Sequence, residues 1–223
     1  MKEYHKIITL FKRDPETKFK TVIDGEYATD EFLYLKDCQW VLTEKVDGTN
    51  IRIMWDGTNV SFGGKTDNAQ LYAPLQNRLQ ELFYSGLMSV IFGQSSACLY
   101  GEGYGARIQK GGGRYNSSGV NFVMFDVWID GLWLRRKDVE EISNKCSCEI
   151  VPIVKKGVLT EAVNLVKDGV KSKWGDFTAE GLVIRPEIEM RDRRGNRIIT
   201  KLKTKDFICP PDAEKIVEEE LTA

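Results

Sequence analysis

Runs with strand alternation recur along this chain beside tight-turn signals, and that pattern constrains the fold more than any single residue does. Trp40-Val41-Leu42-Thr43 and the alternating Ile51, Ile53 and Trp55 predict strands on either side of a turn, and Asp56-Gly57 opens the next hairpin into Val60-Ser61-Phe62. Val120 through Ile129 is rich in aromatic and β-branched residues, which suits a buried strand, and Asp130-Gly131 turns it back into Leu132-Trp133-Leu134. Gly181-Leu182-Val183-Ile184 and Ile198-Ile199-Thr200-Lys201-Leu202 predict two late strands joined by the charged hairpin Arg191-Asp192-Arg193-Arg194-Gly195-Asn196. Helical spacing separates these segments. Leu75, Leu79, Leu82, Phe83, Leu87, Val90 and Ile91 predict one amphipathic helix within 71–91 that runs through Gly86, and Lys137–Lys145 and Leu159–Lys171 have the same period. The glycine-rich stretch Gly101–Gly113 predicts no regular structure. Hairpins mixed with separate helices define an α+β fold with antiparallel sheets. Without a repeat or a Pro/Gly/Ser-rich linker, residues 1–223 are expected to form one domain.

Composition removes whole classes of function. With 42% hydrophobic and 29% charged residues, the chain is of the ordinary soluble globular type. Lys plus Arg number 32 against 33 Asp plus Glu, which excludes a strongly basic nucleic-acid scaffold but not a local basic groove. The single histidine, His5, leaves no basis for a Ser-His-Asp triad or a multi-histidine metal site, and it is expected to be a core or surface residue near the terminus. Five cysteines without a Cys-x-x-Cys pair predict reduced thiols and a cytoplasmic protein. Neither a signal peptide nor a membrane span is predicted.

Chemistry concentrates in a few short segments. Glu44-Lys45-Val46-Asp47-Gly48-Thr49-Asn50 sets a lysine at the end of an apolar strand, followed by an acid and a glycine turn. It is either a surface hairpin or the seat of a nucleophilic amine, which must lose its proton to react and does so where burial or neighbouring cations depress its pKa. Lys201-Leu202-Lys203 supplies such cations, since strand alternation aims both lysines at one face. That pair is either a solvated face or a polyphosphate cradle. Glu102 and Glu180 each adjoin apolar strand residues; facing a pocket, either would accept from a ribose hydroxyl or hold Mg²⁺. Phe125 is either core or a ring that stacks on a purine, and Gly111-Gly112-Gly113 matches no phosphate-loop fingerprint.

Taken in order, these elements resemble the covalent nucleotidyltransferase superfamily of polynucleotide ligases and capping enzymes, and within it the nick-sealing phage RNA ligase (RNA ligase 2) family. The likeness runs from Trp40 to Phe207. The nucleophile motif matches Glu44-Lys45-Val46-Asp47-Gly48-Thr49-Asn50, whose Gly-Thr-Asn ending is that of RNA rather than DNA ligases. Gly64-Lys65-Thr66 matches the next element, with lysine where the family usually has arginine. Tyr100-Gly101-Glu102, Ile108-Gln109-Lys110 and Tyr115 match the third. Phe125-Asp126, Thr178-Ala179-Glu180-Gly181 and Lys201-Leu202-Lys203 complete the series.

The resemblance implies a ligase adenylation fold, with antiparallel sheets flanking a nucleotide pocket and peripheral helices. It also implies a three-step reaction. Lys45 takes AMP from ATP as a lysyl-AMP, the AMP passes to an RNA 5′-phosphate, and a 3′-hydroxyl displaces it to seal the strand, with a nicked duplex as the expected substrate. Lys201 and Lys203 would neutralise phosphates, Glu102 would hold the ribose, Phe125 would stack on adenine and Glu44 would lie at the base. Lys65 would meet phosphate or ribose, Asn50 would serve the later steps, and Glu180 would place Mg²⁺, with Mn²⁺ as an alternative. A minimal ATP-dependent DNA ligase, a GTP-using capping-type enzyme and a non-catalytic RNA-binding relative are the competing readings. Only 20 residues follow Lys203, including Pro210-Pro211 and an acidic helix candidate ending at Glu218-Glu219-Glu220. The expectation is therefore a catalytic core without an accessory or OB domain, which adenylylates itself readily and joins RNA ends weakly or with the help of a partner protein or a truncated domain, in the cytoplasm or a host's cytoplasm if phage-encoded.

Overall fold

In the computed structural model, residues 3–207 are described. Cys209, Pro210-Pro211 and the acidic helix candidate lie outside them. The chain forms two compact units, Met1–His5 with Val46–Val151 and Lys6–Lys45 with Pro152–Ala223.

In the first unit one sheet runs in the order Glu149–Ile150, Val120–Ile129, Ala97–Gly105, Thr49–Trp55, Val60–Gly63, and Leu132–Trp133 also pairs with Val120–Ile129. All pairs are antiparallel except Glu149–Ile150, which runs parallel to its neighbour. Alternation sends Ile51, Ile53 and Trp55 to one face, where they pack with Leu99, Phe122, Met124 and Val127 against helical Leu75, Leu79, Met88, Val139 and Ile142. Each large apolar side chain buried in this way contributes about 1.5–3 kcal/mol.

Two expectations for this unit are corrected. The helix predicted within 71–91 is two helices, Ala73–Leu82 and Ser85–Phe92, and Gly86 sits inside the second. The break falls at Phe83, which is extended (φ −128°, ψ 94°) so that its ring can pack edge-on against Phe122 at 5.5 Å; Val90, expected on the apolar face, is 84% exposed. The stretch from Gly101 is the buried strand Ala97–Gly105, followed by the short helix Gly112–Tyr115. Its glycines mark close approach, since a Cβ at Gly101 would collide with the Phe122 ring and one at Gly103 with the Leu75 side chain.

The second unit holds a sheet in the order Ile8–Thr9, Thr200–Lys203, Gly181–Pro186, Trp40–Lys45, Ile153–Gly157. Its first pair is parallel and the rest are antiparallel. Trp40, Leu42, Leu182, Ile184 and Leu202 pack against Leu159, Val163 and Val166 of the helix Leu159–Lys167. That helix stops short of its predicted end because Gly169 adopts φ +87°, a left-handed helix stop. The late hairpin is present, its turn closed by Asp192 accepting from the Arg194 and Asn196 N–H groups.

The strands flanking Val46-Asp47-Gly48 do not form the hairpin that their spacing predicts. Trp40–Lys45 pairs with Gly181–Pro186 and Ile153–Gly157, whereas Thr49–Trp55 pairs with Ala97–Gly105 and Val60–Gly63. The linking segment hands the chain from one sheet to another, and at Gly48 a Cβ would lie 2.8 Å from the Glu102 Cγ. The α+β class with antiparallel sheets is as expected. Cys38, Cys98, Cys146 and Cys148 are free thiols, and His5 stacks on Tyr4 at 4.6 Å. No helix among the described residues is long and apolar enough to cross a membrane.

Candidate active site

Lys45 closes its strand level with Gly181, and Gly181 is level with Lys203, so the two lysines flank one glycine on three adjacent strands. Gly181 has φ +152°, and a Cβ there would strike the Leu202 carbonyl. Glu180, the residue before it, reaches both lysines. Its Oε2 accepts from the Lys45 Nζ and its Oε1 pairs with the Lys203 Nζ at 2.5 Å. All three side chains are largely buried. Burial pushes the Glu180 carboxyl up, but the combined pull of Lys45 and Lys203 outweighs it and holds the group below the ordinary glutamate range. Lys201 shares the Lys203 face while Leu202 enters the core, as alternation predicts. Burial, together with the charges of Lys203, Lys45 and Arg13, pushes its amine below the usual lysine range.

Two buried carboxylates brace this network. Glu44, 1% exposed, accepts from Ser172 Oγ at 2.7 Å and from the Lys173 N–H at 2.8 Å. Asp206 is fully buried, with Oδ1 2.7 Å from Arg13 Nη1 and Oδ2 accepting the Lys203 N–H at 3.1 Å, so it pins the end of the lysine strand. Nothing in the sequence marked Arg13 or Asp206, because their pairing spans 193 positions.

The remaining predicted site residues lie in the first unit. Asn50 and Arg52 occupy the sheet face opposite the apolar core, with Asn50 level with Glu102 and Arg52 level with Tyr100. Phe125 is the extra residue of a β-bulge, since Tyr100 pairs with Asp126 and Gly101 with Met124. The bulge leaves the Phe125 ring half-buried, in edge contact with Tyr4 at 5.0 Å, while the Tyr4 hydroxyl donates to Asp126 at 2.6 Å. Lys65 is exposed in the irregular segment after Gly63. The structure thus joins Lys45, Glu180 and Lys203 in one network with Lys201 on the Lys203 face, sets Asn50 beside Glu102, and leaves Lys65 exposed.

Among the described residues no three His, Cys, Asp or Glu side chains converge as a metal site. One carboxylate, completed by phosphate oxygens and water, is still a donor set that Mg²⁺ accepts.

A strand-end lysine thus lies beside a carboxylate and two further lysines, and comparison with known proteins gives the class. The sequence model of the family described as RNA ligase matches residues 38–203, roughly three quarters of the chain. The chain belongs to the RNA ligase family. No curated protein matches it. Among solved structures, Naegleria gruberi RNA ligase with PPi superposes with a TM-score of 0.59 at 15% identity, over 90% of this chain and 57% of that one. A lysine-to-alanine variant of the same ligase with ATP and Mn gives 0.59 at 14%, over 90% and 57%. A glutamate-to-alanine variant with ATP and Mn gives 0.60 at 16%, over 96% and 59%. At these identities the likeness is one of fold, and this chain spans less than three fifths of those ligases.

Proposed function

We propose that this chain is the adenylyltransferase domain of an ATP-dependent RNA ligase, acting in the cytoplasm. The observation that carries the reading is the network in which Glu180 bridges Lys45 and Lys203 beside Lys201, in a member of the RNA ligase family. The Lys45 amine, after releasing a proton to solvent, attacks the α-phosphorus of ATP; a P–N bond forms, the bond to pyrophosphate breaks, and the second nitrogen proton is also lost to solvent. Glu180 is ionised at neutral pH and weakly basic, so it orients the amine instead of storing its proton. Lys201 and Lys203 stabilise the charge that builds on the phosphates. Glu180 would hold Mg²⁺ or Mn²⁺, which when bound supplies further neutralisation of phosphate charge. Glu102 and Phe125 are read as the ribose and adenine contacts, Glu44 as a base-side contact, and Asn50 as serving transfer of AMP to an RNA 5′-phosphate before a 3′-hydroxyl seals the strand. A nicked duplex is the proposed substrate.

Incubation with α-labelled ATP and Mg²⁺ should label the parent chain and not the Lys45→Ala variant. A labelled Lys45→Ala protein removes the mechanism. Nicked duplexes with RNA or DNA at the 3′-hydroxyl side then separate RNA from DNA joining, and sealing of the DNA end alone removes the RNA assignment.

A further inference from the structure

Arg52 belongs to none of the motifs read from the sequence, yet it is among the most deeply placed charges in the molecule. Its side chain is fully buried on the polar face of the first unit's sheet, in register with Tyr100 and one alternation from Asn50. Nε donates to the Gly64 carbonyl at 2.8 Å and Nη2 to Asp67 Oδ1 at 2.7 Å. Those bonds fix the plane of the guanidinium and hold the segment that carries Lys65. The room for it comes from Gly63, where a Cβ would stand 3.3 Å from Nη2.

Stability does not account for this arrangement. Taking a guanidinium out of water carries a large desolvation cost, and its acidic partner among the described residues, Asp67, has a side chain 77% exposed, so solvent screens the attraction. Nη1 is buried without a hydrogen-bond partner among the described residues, and so is Oδ1 of Asn50, two positions away on the same face. Buried polar atoms are ordinarily paired, and two orphans on one face, a cationic donor and a neutral acceptor, mark a place prepared for a ligand. The Glu102 carboxylate is level with Asn50. Donor, acceptor and carboxylate together suit a sugar phosphate, whose hydroxyls need acceptors and whose oxyanion needs a fixed cation.

We propose that Arg52 is a nucleotide-binding residue whose Nη1 donates to a phosphate oxygen of ATP. The assignment rests on the ATP-dependent reading above. Its test is the dependence of self-adenylylation on ATP concentration, with melting temperature measured on the same proteins. Arg52→Met should raise KM for ATP about ten- to hundredfold, the loss of one charge-assisted bond, with kcat changed less. Its melting temperature should stay at or above that of the parent, because a buried ion pair is commonly replaced by an apolar side chain without loss. Arg52→Lys should recover part of the affinity, since it keeps the charge without the planar fork. Parental KM in Arg52→Met overturns the proposal, as does full recovery in a neutral Arg52→Gln variant, which also serves if the methionine protein fails to fold. Should the parent chain not label at all, the ATP-induced rise in melting temperature replaces the kinetic readout. A rise that Arg52→Met abolishes keeps Arg52 and removes the reaction, whereas a rise left intact removes Arg52.

Discussion

The two units handle buried charge in opposite ways. In the second, three of the cations are compensated from within and Lys201 stands apart from them, because Glu180 spans Lys45 and Lys203 and Asp206 answers Arg13. In the first, Arg52 is held rigidly but keeps a donor over. An internally compensated network must be rearranged before its lysine reacts, whereas a preoriented donor needs only its ligand.

The difference is broken most forcefully by Lys203→Ala. With Lys203 gone, Glu180 keeps Lys45 as its remaining partner in this network, and the amine that must turn toward phosphate is held by the carboxylate alone. The phosphates also lose a cation. Self-adenylylation should fall about a hundredfold or more, the scale of removing one donor aimed at developing charge. Quenched single-turnover labelling at saturating ATP measures it, and a loss under threefold would mean that the bridge is incidental.

Glu44→Ala should have a smaller effect, and on stability. It leaves the Ser172 hydroxyl and the Lys173 N–H without their acceptor in a buried place, costing about 1–3 kcal/mol. For a chain of this size that is a fall of roughly 2–4 °C in melting temperature per kcal/mol. An unchanged melting temperature would show that Glu44 serves the ligand alone.

Much of the second unit's candidate site is legible in the sequence. Lys201 and Lys203 share a face because strand alternation permits nothing else, and the strand Val120–Ile129 has the bounds that its composition predicts. What stayed hidden depended on partners distant in sequence. The interval from Thr43 to Ile51 has the spacing of a hairpin, and only the pairing of each strand elsewhere shows that it links two sheets. The glycines after Tyr100 suggest looseness until the Phe122 ring is seen against them. Arg52 looks like a strand-surface cation until Gly64 and Asp67 fold over it, and Asp206 gives no local sign of its bond to Arg13.

The smallest effect tests the sign of compensation within the second unit. Lys201 is a base whose pKa is lowered on folding by burial and by Lys203, Lys45 and Arg13, so the unfolded chain binds its proton more tightly. Stability therefore rises with pH as the folded-state amine discharges, and the penalty is present below that depressed value and gone above the ordinary lysine value of 10.5. Lys201→Gln, which cannot carry the charge, should be more stable than the parent at neutral pH by less than about 1 kcal/mol, and the gap should close as pH climbs toward the ordinary lysine range. Glu180 has the opposite sense. Its carboxyl is held below the glutamate value of 4.5, so its contribution is present above that value and fades as pH falls through the folded-state pKa. Melting temperatures of the parent and Lys201→Gln across neutral to alkaline pH decide the matter. A variant less stable than its parent at neutral pH would mean that Lys201 is paired favourably, and that the second unit carries no uncompensated cation at all.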